Sequence, residues 1–383
     1  MAVGIRVTSR GMQTTVQDKG RTGFQRYGFS VSGAMDQIAF KLANSLVGND
    51  PDEAVLEMAL MGSSFIFTDE TVIALTGADC QPLLNGKAID TYRAYHVEKG
   101  DELKTGPMGD GIFSYIAFAG GLDIPKVMSS YSTSTRFNIG GYRGRALEEG
   151  DHLNFKHTDI SFNQIIGRNI STFLESISSG PDNIRVIPSS EQPALTDVIR
   201  ESFYSQKYTI SSKSDRMGYR LEGKRIEMDE QISVISEGTV WGDIQVPPDG
   251  QPIILMADRQ TTGGYPVIGT VCSVDRSKLV QCSPGTEIQF TQINVEEAQT
   301  LFIKQKNWLK LQQERLNDLA FQSKQSGEVS GVQARNKIDD LIDIVKDSSF
   351  TQFSYSDKHI KLDIDHESVR VQSKESTNQP EDQ

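Results

Sequence analysis

The residues best suited to chemistry lie between two turn-forming clusters. Residues 242–266 read GDIQVPPDGQPIILMADRQTTGGYP, in which a short apolar run, 253–256, is flanked by turns rich in Pro, Gly and Thr. Such a run is typical of a buried strand, and loops at the ends of rigid strands are where sites are usually built. Asp258, Arg259 and Gln260 follow the run and offer an anion, a guanidinium fork and an amide. This combination predicts recognition of a small polar substrate.

Two other stretches combine charged side chains with glycine. Residues 14–21 carry Asp18 and Arg21, and they form either a loop that lines a pocket or a glycine-rich surface loop with an Asp–Arg pair. Residues 77–80 place Asp79 just after an apolar strand, where a carboxylate either orients a substrate or serves ordinary turn chemistry. The residues alone leave both alternatives open.

Arginines and hydroxyl groups are concentrated in residues 129–145, SSYSTSTRFNIGGYRGR. Arg136 and the two later arginines suit binding of a carboxylate or phosphate, and a flexible Ser/Gly-rich loop is the alternative. Asp215 and Arg216 repeat the acid–base pair of 258–259. Paired Asp and Arg are often only structural. Because both pairs border Gly or Pro turns, however, they predict a site.

Composition limits the classes of protein to consider. The chain has 383 residues and a net charge of -12 without a long Lys/Arg block, which argues against nucleic acid and anionic membrane surfaces as partners. No apolar run approaches ~20 residues, and the first residues lack the apolar core of a signal peptide. The three cysteines form no CxxC pair. We therefore expect a cytoplasmic protein with reduced thiols that binds proteins or small molecules.

Common catalytic and nucleotide-binding motifs are absent from the sequence. It contains no GxxxxGK(S/T) phosphate loop, no GxGxxG after a strand, no HExxH and no GxSxG nucleophile elbow. The five histidines do not occur at metal-ligand spacing on any predicted element. We expect no metal site, no ATP held in a standard cradle by this chain alone, and no triad-type ester hydrolysis.

Most of the sequence before residue 290 predicts short strands. The strands are apolar runs with Gly, Asp, Asn or Pro nearby, at 71–76, 112–118, 184–187, 232–235, 253–256 and 287–291. Helices do not alternate regularly with these runs, so the pattern favours sandwiches or barrels over a doubly wound sheet. The expected fold class is mainly β.

Two helical patterns interrupt the strands. Apolar residues recur every three or four positions over 35–46, with Ser32 as the expected N-cap and Gly48 at the end. A second helix is expected over about 193–203, at the passage between two lobes. Residues 32–36 also weakly resemble 214–218, which indicates either an internal duplication or a chance match.

The character of the sequence changes beyond Asn294. Asn294 and Glu297 form a capping-box-like start to a long helix that is expected to reach about residue 321. A polar linker over 323–331 and a second helix over 338–345 follow. Residues 350–355 and 360–364 then suggest a hairpin, and the polar tail from residue 371 is expected to be disordered.

Four motifs resemble the family once labelled allophanate hydrolase subunit 2. They are TTVQDKGRTGFQRYGFSVSGAMD at 14–36, LTGAD at 75–79, SDRMG at 214–218 and IQVPPDGQPIILMADRQTTGGYP at 244–266. That family includes the C subunit of bacterial ATP-dependent 5-oxoprolinase, the antagonist of the sporulation-kinase inhibitor and a carboxyltransferase segment of urea carboxylase. The resemblance spans roughly residues 5–295.

The resemblance implies two cyclophilin-like β-barrel lobes, residues 1–190 and 191–294, with a few helices. A C-terminal helical and strand extension, 295–370, and a disordered tail, 371–383, complete the expected domain organisation. It also implies a B-type partner subunit that shares the site, and an A-type subunit of the same complex.

The residue types and the chemistry of lactam opening suggest roles for individual residues as a hypothesis. Arg259 is expected to neutralise developing charge, Asp258 and Gln260 to orient the substrate amide, and these three are the candidate catalytic residues. The candidate substrate-binding residues come from the neighbouring loops and are Gln245, Asp215, Arg216, Thr261, Gly263, Gly264, Tyr265, Asp18, Asp79 and Arg136.

The expected activity is that of the C subunit of an ATP-dependent 5-oxoprolinase, which opens 5-oxo-L-proline to L-glutamate and is inactive as a single chain. ATP then acts through the assembled complex. A first alternative is a biotin-dependent carboxyltransferase component acting on urea or a related amide, with biotin on another protein because this chain has no Met-Lys-Met sequence. A second is a regulatory protein that binds an inhibitor of a histidine kinase. Homo-oligomerisation stays open.

Overall fold

The computed structural model describes residues 3–170, 183–189, 195–227, 235–322, 352–356, 359–364 and 367–372. The chain divides into two compact units, residues 1–323 and residues 324–383. Within the described residues, no helix is both long and apolar enough to cross a membrane.

Strands dominate both units. In chain order they are β1 (Gly4–Ser9), β2 (Gln13–Gln17), β3 (Val55–Ala59), β4 (Ser64–Phe67), β5 (Thr71–Gly77), β6 (Leu83–Leu84), β7 (Lys87–Ala88), β8 (Ala94–Val97), β9 (Glu102–Lys104), β10 (Phe113–Phe118), β11 (His152–Asn154), β12 (Asn183–Pro188), β13 (Lys207–Ile210), β14 (Gly218–Glu222), β15 (Glu237–Gly238), β16 (Asp243–Gln245), β17 (Ile253–Leu255), β18 (Thr262–Gly263), β19 (Val267–Val271), β20 (Glu287–Gln292), β21 (Gln352–Ser356), β22 (His359–Ile364) and β23 (Glu367–Gln372). The helices are α1 (Gln37–Leu46), α2 (Asp197–Tyr204), α3 (Arg276–Val280) and α4 (Val295–Gln322). The expected mainly β fold class is confirmed.

Two antiparallel sheets form the first lobe. One has the strand order β11-β1-β4-β9-β6-β7, and the other has the order β2-β3-β10-β5-β8. Their facing sides share one apolar core, to which β1, β4, β5 and β10 all contribute. The five-stranded sheet is buried on both faces. Successive side chains of a strand point to opposite sides of the sheet, so each strand contributes to two apolar cores. In β5, Ile73 and Leu75 lie in the core between the sheets, whereas Val72 and Ala74 lie in the core that includes α1.

The second lobe is a closed barrel of seven strands. Its order is β12-β19-β16-β17-β14-β13-β20, with antiparallel pairs except between β12 and β20. The buried core of the barrel includes Ile184, Ile244, Ile254, Ile268 and Ile288. Closure leaves no exposed sheet edge within the ring.

Local expectations for the strands agree with this architecture. The predicted strands at 71–76, 112–118, 184–187, 253–256 and 287–291 are confirmed as β5, β10, β12, β17 and β20. Apart from Ile235, the predicted strand at 232–235 lies outside the described residues.

The helix α1 is confirmed, but the expected N-cap was wrong. The cap is Asp36, whose Oδ1 accepts hydrogen bonds from the backbone N–H groups of Ile38, at 3.1 Å, and Ala39, at 3.0 Å. Ser32 lies further back, in a left-handed conformation with a φ of 56°, and its backbone N–H donates to the Ala257 carbonyl at 3.0 Å. Both residues are good capping types, so only the tertiary contact decides between them.

The helix α2 begins at Asp197 with Thr196 as its N-cap, later than the expected start near residue 193. The long helix α4 begins as predicted. The Asn294 Oδ1 accepts from the Glu297 N–H at 2.8 Å, and the Glu297 carboxylate accepts from the Asn294 N–H at 3.4 Å. α4 contacts α1, and its Trp308 and Leu309 pack against the main core.

The second unit contains one antiparallel sheet in the order β21-β22-β23. The predicted hairpin is confirmed as β21 and β22, while β23 was not predicted and runs to Gln372, just inside the expected tail. The linker at 323–331 and the helix at 338–345 lie outside the described residues.

Replacing Asp36 tests the cap of α1. Asp36→Ala removes the acceptor for two helix N–H groups and for Gln281 Nε2, which donates to Oδ2 at 3.0 Å. We expect the free energy of unfolding to fall by about 1–2 kcal/mol, as for loss of a good N-cap. Asp36→Asn retains an acceptor and should cost clearly less. Urea unfolding followed by circular dichroism measures both, and equal losses would contradict the assigned cap.

Candidate functional site

A buried arginine joins the two lobes. The Arg216 Nε donates to Asp258 Oδ2 at 2.8 Å, and its Nη1 donates to Glu57 Oε1. Its Nη2 donates to the Gly33 carbonyl at 2.7 Å and to Asp258 Oδ1 at 3.3 Å. Burial alone would lower the pKa of Arg216, but the charges of Asp258 and Glu57 outweigh burial and raise this pKa above its usual value. The guanidinium therefore stays charged and saturated with acceptors.

A chain of buried hydrogen bonds continues from Glu57. The second carboxylate oxygen of Glu57 accepts from Tyr115 Oη at 2.8 Å and from the Met35 N–H at 2.7 Å. Tyr115 Oη in turn accepts from the Asp36 N–H at 2.7 Å, so the network reaches the start of α1. Gln281 extends it to the barrel side by donating to the Asp36 carboxylate. A satisfied buried network of this kind fixes the relative positions of the elements it joins.

A cavity of about 140 Å³ lies beside Arg216. It is lined by side chains and backbone of both lobes, namely Gln13, Ala59, Leu60, Ile112, Phe113, Ile210, Ser214, Asp215, Arg216, Tyr219 and Pro284. The Tyr219 hydroxyl donates to the Val280 carbonyl at 2.8 Å, and Arg216 is already saturated. The positive charge of Arg216 is therefore already neutralised, and the charged group that the wall offers to a ligand is the carboxylate of Asp215.

Asp18 and Arg21 do not form the surface pair that was one alternative. Asp18 is 3% exposed and Arg21 is fully buried. The Asp18 carboxylate accepts from Ser130 Oγ at 2.6 Å, from the Tyr131 N–H at 2.7 Å and from Ser132 Oγ. These bonds fasten the start of the segment 129–145 to the loop 14–21, so two of the predicted constellations meet here.

The loop after β17 lies against the first lobe. The Ser30 hydroxyl donates to the carbonyl oxygens of Arg259, at 2.7 Å, and Asp258, at 3.2 Å. Together with the Arg216 bond to Gly33, this contact brings residues 30–33 and 214–218 to the same loop. The two segments whose sequences weakly resemble each other therefore meet at one place.

The three candidate catalytic residues point to different partners. Asp258 holds Arg216, while Gln260 Nε2 donates to Gln245 Oε1 at 3.2 Å. Arg259 is 6% exposed, and its Nη1 donates only to the Met256 carbonyl at 3.4 Å. Its Nε is buried and has no hydrogen-bond partner among the described residues. Burial lowers the pKa of Arg259, with Asp243 opposing this effect. Arg259 thus has spare hydrogen-bonding capacity, which Asp258 lacks.

Gly263 of this loop packs closely against the Gln245 side chain. A Cβ added to Gly263 would lie 2.2 Å from Gln245 Nε2, closer than any real contact. Thr261 lies beside it, with its carbonyl accepting from the Thr239 N–H at 3.1 Å, and Tyr265 is 46% exposed. Gly264 is also exposed. The loop therefore packs closely on Gln245 and then opens to solvent.

Three candidate residues lie in surface turns. Asp79 is exposed and accepts from the Gln81 N–H at 2.9 Å, and Asp215 is exposed and accepts from the N–H groups of Met217 and Gly218. Arg136 is exposed with its guanidinium 5.6 Å from the Phe137 ring centre. No hydrogen bond or ion pair of the described residues joins Asp79 or Arg136 to the Arg216 cluster.

Sequence reasoning missed Glu57 as a partner of Arg216. The sequence feature that could have identified Glu57 is that it is a single carboxylate inside the apolar strand β3, VLEMA. A carboxylate in such a strand is expected to be buried, and buried carboxylates are nearly always paired with a cation. No three or more His, Cys, Asp or Glu side chains among the described residues are grouped to hold a metal ion.

Comparisons with known proteins place this geometry in context. The family model described as "Carboxyltransferase domain, subdomain A and B" matches residues 27–292. A protein of Haemophilus influenzae named as the C subunit of 5-oxoprolinase is 37% identical over 305 residues, which cover 79% of this chain and 95% of that protein. A protein of Escherichia coli with the same name is 37% identical, covering 77% and 93% of the two chains.

Solved structures extend these comparisons. The crystal structure of the Kluyveromyces lactis urea carboxylase superposes with a TM-score of 0.72 at 25% identity, covering 95% of this chain and 33% of that chain. The same arrangement of elements thus occurs as part of a longer protein.

Breaking the Arg216 cluster tests its structural weight. Arg216→Gln leaves two buried carboxylates without their cation, and we expect the free energy of unfolding to fall by about 3–5 kcal/mol. Arg145→Gln is the matched control, because its ion pair with Asp151 is partly exposed and should contribute about 1 kcal/mol or less. Chemical denaturation compares the two variants. A similar small loss in both would show that Arg216 does not hold the lobes together.

Proposed function

The chain belongs to the family of carboxyltransferase domains, subdomains A and B, and from this premise we propose that it is the C subunit of an ATP-dependent 5-oxoprolinase complex. The observation that carries the proposal is the 37% identity to a 5-oxoprolinase C subunit over 95% of that protein's length. The complex opens 5-oxo-L-proline to L-glutamate. A B-type subunit shares the site with this chain, and an A-type subunit is the third component of the complex. The complex is located in the cytoplasm.

The chemistry explains why ATP is needed. A lactam amide is stabilised by resonance, and transfer of a phosphoryl group to its oxygen converts that oxygen into a leaving group. Water then adds to the ring carbon, and the C–N bond breaks to give the free amine and an acyl phosphate. A second water hydrolyses the acyl phosphate, which releases phosphate and leaves the side-chain carboxylate of glutamate. We assign ATP binding to another component of the complex, because this sequence has no phosphate-binding loop. The chain alone is therefore inactive.

The described residues support distinct roles around this reaction. Arg259 supplies positive charge to the anionic species, because its Nε has no partner within the described part of the chain. Gln260 and Gln245 present amide groups to the substrate amide from a packed loop. Asp258 acts as a positioning residue, since both its carboxylate oxygens hold Arg216.

The alternative activity is carboxyl transfer to urea or a related amide, with biotin on a separate carrier protein. The likeness to the urea carboxylase structure over 95% of this chain favours it. A purely regulatory role, binding an inhibitor of a histidine kinase, is the third hypothesis.

Reconstitution separates these functions. The chain is mixed with its candidate A-type and B-type subunits, and ATP hydrolysis and glutamate release are measured with 5-oxoproline as substrate. We expect activity that disappears when this chain is omitted. Turnover only with urea, bicarbonate and a biotin carrier would support carboxyl transfer instead, and release of a histidine kinase without any turnover would support regulation.

Arg259→Ala tests the charged residue of the site. We expect kcat/KM of the reconstituted complex to fall roughly 100-fold or more, as when a preorganised donor to developing charge is lost. Arg220→Ala removes an exposed arginine from the same barrel and serves as the matched control. Full activity in the Arg259 variant would rule out the assigned role.

Gly263→Ala tests the close packing on Gln245. The added methyl group must displace the Gln245 amide, and we expect kcat/KM to fall roughly 10- to 100-fold through misplacement of the loop. Gly238→Ala is the control, because a Cβ on Gly238, in the paired strand β15, meets no atom within 4 Å. Equal activities of the two variants would contradict a role for this packing in catalysis.

A further inference from the structure

Two arginines lie at one rim of the barrel. β16 pairs antiparallel with both β17 and β19, so the start of β16 lies beside the ends of those two strands. Arg259 follows β17, and Arg276 follows β19 as the first residue of α3. Trp241 and Asp243 lie at the start of β16. The topology therefore brings two guanidinium groups, an indole and one carboxylate to the same place.

Neither guanidinium is neutralised by an ion pair within the described part of the chain. Arg259 makes only the 3.4 Å bond to the Met256 carbonyl, and its Nε is buried without an acceptor. The Nε of Arg276 is also buried without an acceptor, and its guanidinium carbon lies 4.8 Å from the Trp241 ring centre. The aromatic face positions the Arg276 group but does not satisfy its N–H donors.

Asp243 does not serve as the missing partner. Its Oδ1 accepts from Thr270 Oγ1 at 2.8 Å, and its Oδ2 accepts from the Val240 N–H at 2.7 Å. Its charge acts on both arginines, yet neither makes an ion pair with it. One carboxylate, already hydrogen-bonded elsewhere, thus stands beside two cations.

The electrostatics of the pair favour an external anion. Burial, together with the smaller effect of the positive charge of Arg259, lowers the pKa of Arg276 to about 10. Two like charges in a poorly solvated place repel each other, and an anion between them relieves both the repulsion and the unmet hydrogen bonds. Arg276 is only partly buried, so the pair is open to solvent on its side.

We propose that Arg259 and Arg276 together form an oxyanion-binding subsite, in which Arg276 is a binding residue for an anionic group of the substrate. The inference rests on the proposed function for the identity of that group. In 5-oxoproline it is the carboxylate, and in the activated lactam it is a phosphoryl group. Urea carries neither, so the subsite selects an anionic lactam over a neutral amide.

Other buried arginines differ from this pair. Arg216 has its guanidinium saturated by Glu57, Asp258 and Gly33. Arg21 and Arg168 also have buried N–H groups without an acceptor among the described residues, but no neighbouring cation lowers the pKa of either one. Arg259 and Arg276 combine unmet donors, mutual repulsion and access from solvent.

Ligand binding to the full chain tests the subsite without any turnover. The melting temperature is measured with inorganic phosphate, with 5-oxoproline and with 2-pyrrolidone, the same lactam without a carboxylate, against chloride at equal ionic strength. We expect phosphate and 5-oxoproline to raise the melting temperature of the wild type and 2-pyrrolidone to leave it unchanged. A rise with phosphate alone would identify the phosphoryl group as the anion, and a rise with 5-oxoproline alone would identify the carboxylate.

Variants assign the effect to the pair. Arg276→Gln should abolish the ligand-induced rise and weaken binding by about tenfold or more, as expected for loss of a charge-assisted hydrogen bond. Arg276→Lys should retain part of it, because lysine keeps the charge but lacks the fork. Arg220→Gln, which removes an exposed arginine of the same barrel, should behave as the wild type.

The ligand-free melting temperatures distinguish binding from structure. Removing one of two repelling cations should leave the melting temperature of Arg276→Gln unchanged or higher, whereas a structural arginine would lower it. A lower melting temperature, no rise with either anion, or an equal rise in wild type and Arg276→Gln would overturn the inference. If anions bind through the pair but the complex does not act on 5-oxoproline, the proposed function fails and the subsite stands. If the complex is active and Arg276→Gln keeps its affinity and kcat/KM, only the subsite fails.

Discussion

The guanidinium of Arg216 fixes how the two lobes of the first unit meet. It bonds to Glu57 in the five-stranded sheet, to the Gly33 carbonyl before α1 and to Asp258 after β17. A planar fork with several donors can satisfy three acceptors from three directions, which a lysine cannot do. Removing these charges from water is costly, so the arrangement persists only while every partner is in place. The loop that carries Arg259 therefore inherits its position from this ion cluster.

Burial and charge separate structural arginines from functional ones in this protein. Arg216 and Arg259 are almost equally buried, at 9% and 6% exposed, yet the first is saturated and the second is not. An unmet buried donor costs free energy that folding does not recover. Such a cost is retained most readily where a ligand removes it, which is why the barrel rim at Arg259, rather than the cavity at Arg216, is the better place for an anionic substrate.

Local patterns in the sequence predicted much of the fold and little of the site. Apolar runs predicted β5, β10, β12, β17 and β20, because alternation and turn residues act within a few positions. The N-cap of α1 was misassigned because Ser32 and Asp36 are both residue types that cap helices well. Ser32 instead donates its backbone N–H to the Ala257 carbonyl, and Asp36 caps the helix. That contact joins residues far apart in sequence, which no local pattern encodes.

The site shows the same limit more strongly. The motif around residue 258 identified Asp258 and Arg259 as candidates. It did not show that Asp258 forms an ion pair with Arg216, whereas Arg259 forms none within the described residues. Glu57 and Arg276 come from other parts of the chain and carry no motif of their own. Their roles follow from strand order in a closed barrel, which depends on the whole fold.

A shared scaffold does not decide the substrate within this family. Proteins named as the 5-oxoprolinase C subunit and as urea carboxylase both resemble this chain over most of its length, so the fold alone does not choose the chemistry and particular side chains must do so. 5-Oxoproline and urea both present an amide, and the amide-bearing pair Gln245 and Gln260 suits either one. What separates the two molecules is a negative charge. The discrimination between them therefore falls to groups that interact with charge, and within the described rim these are the guanidinium groups that the fold leaves without a counter-ion.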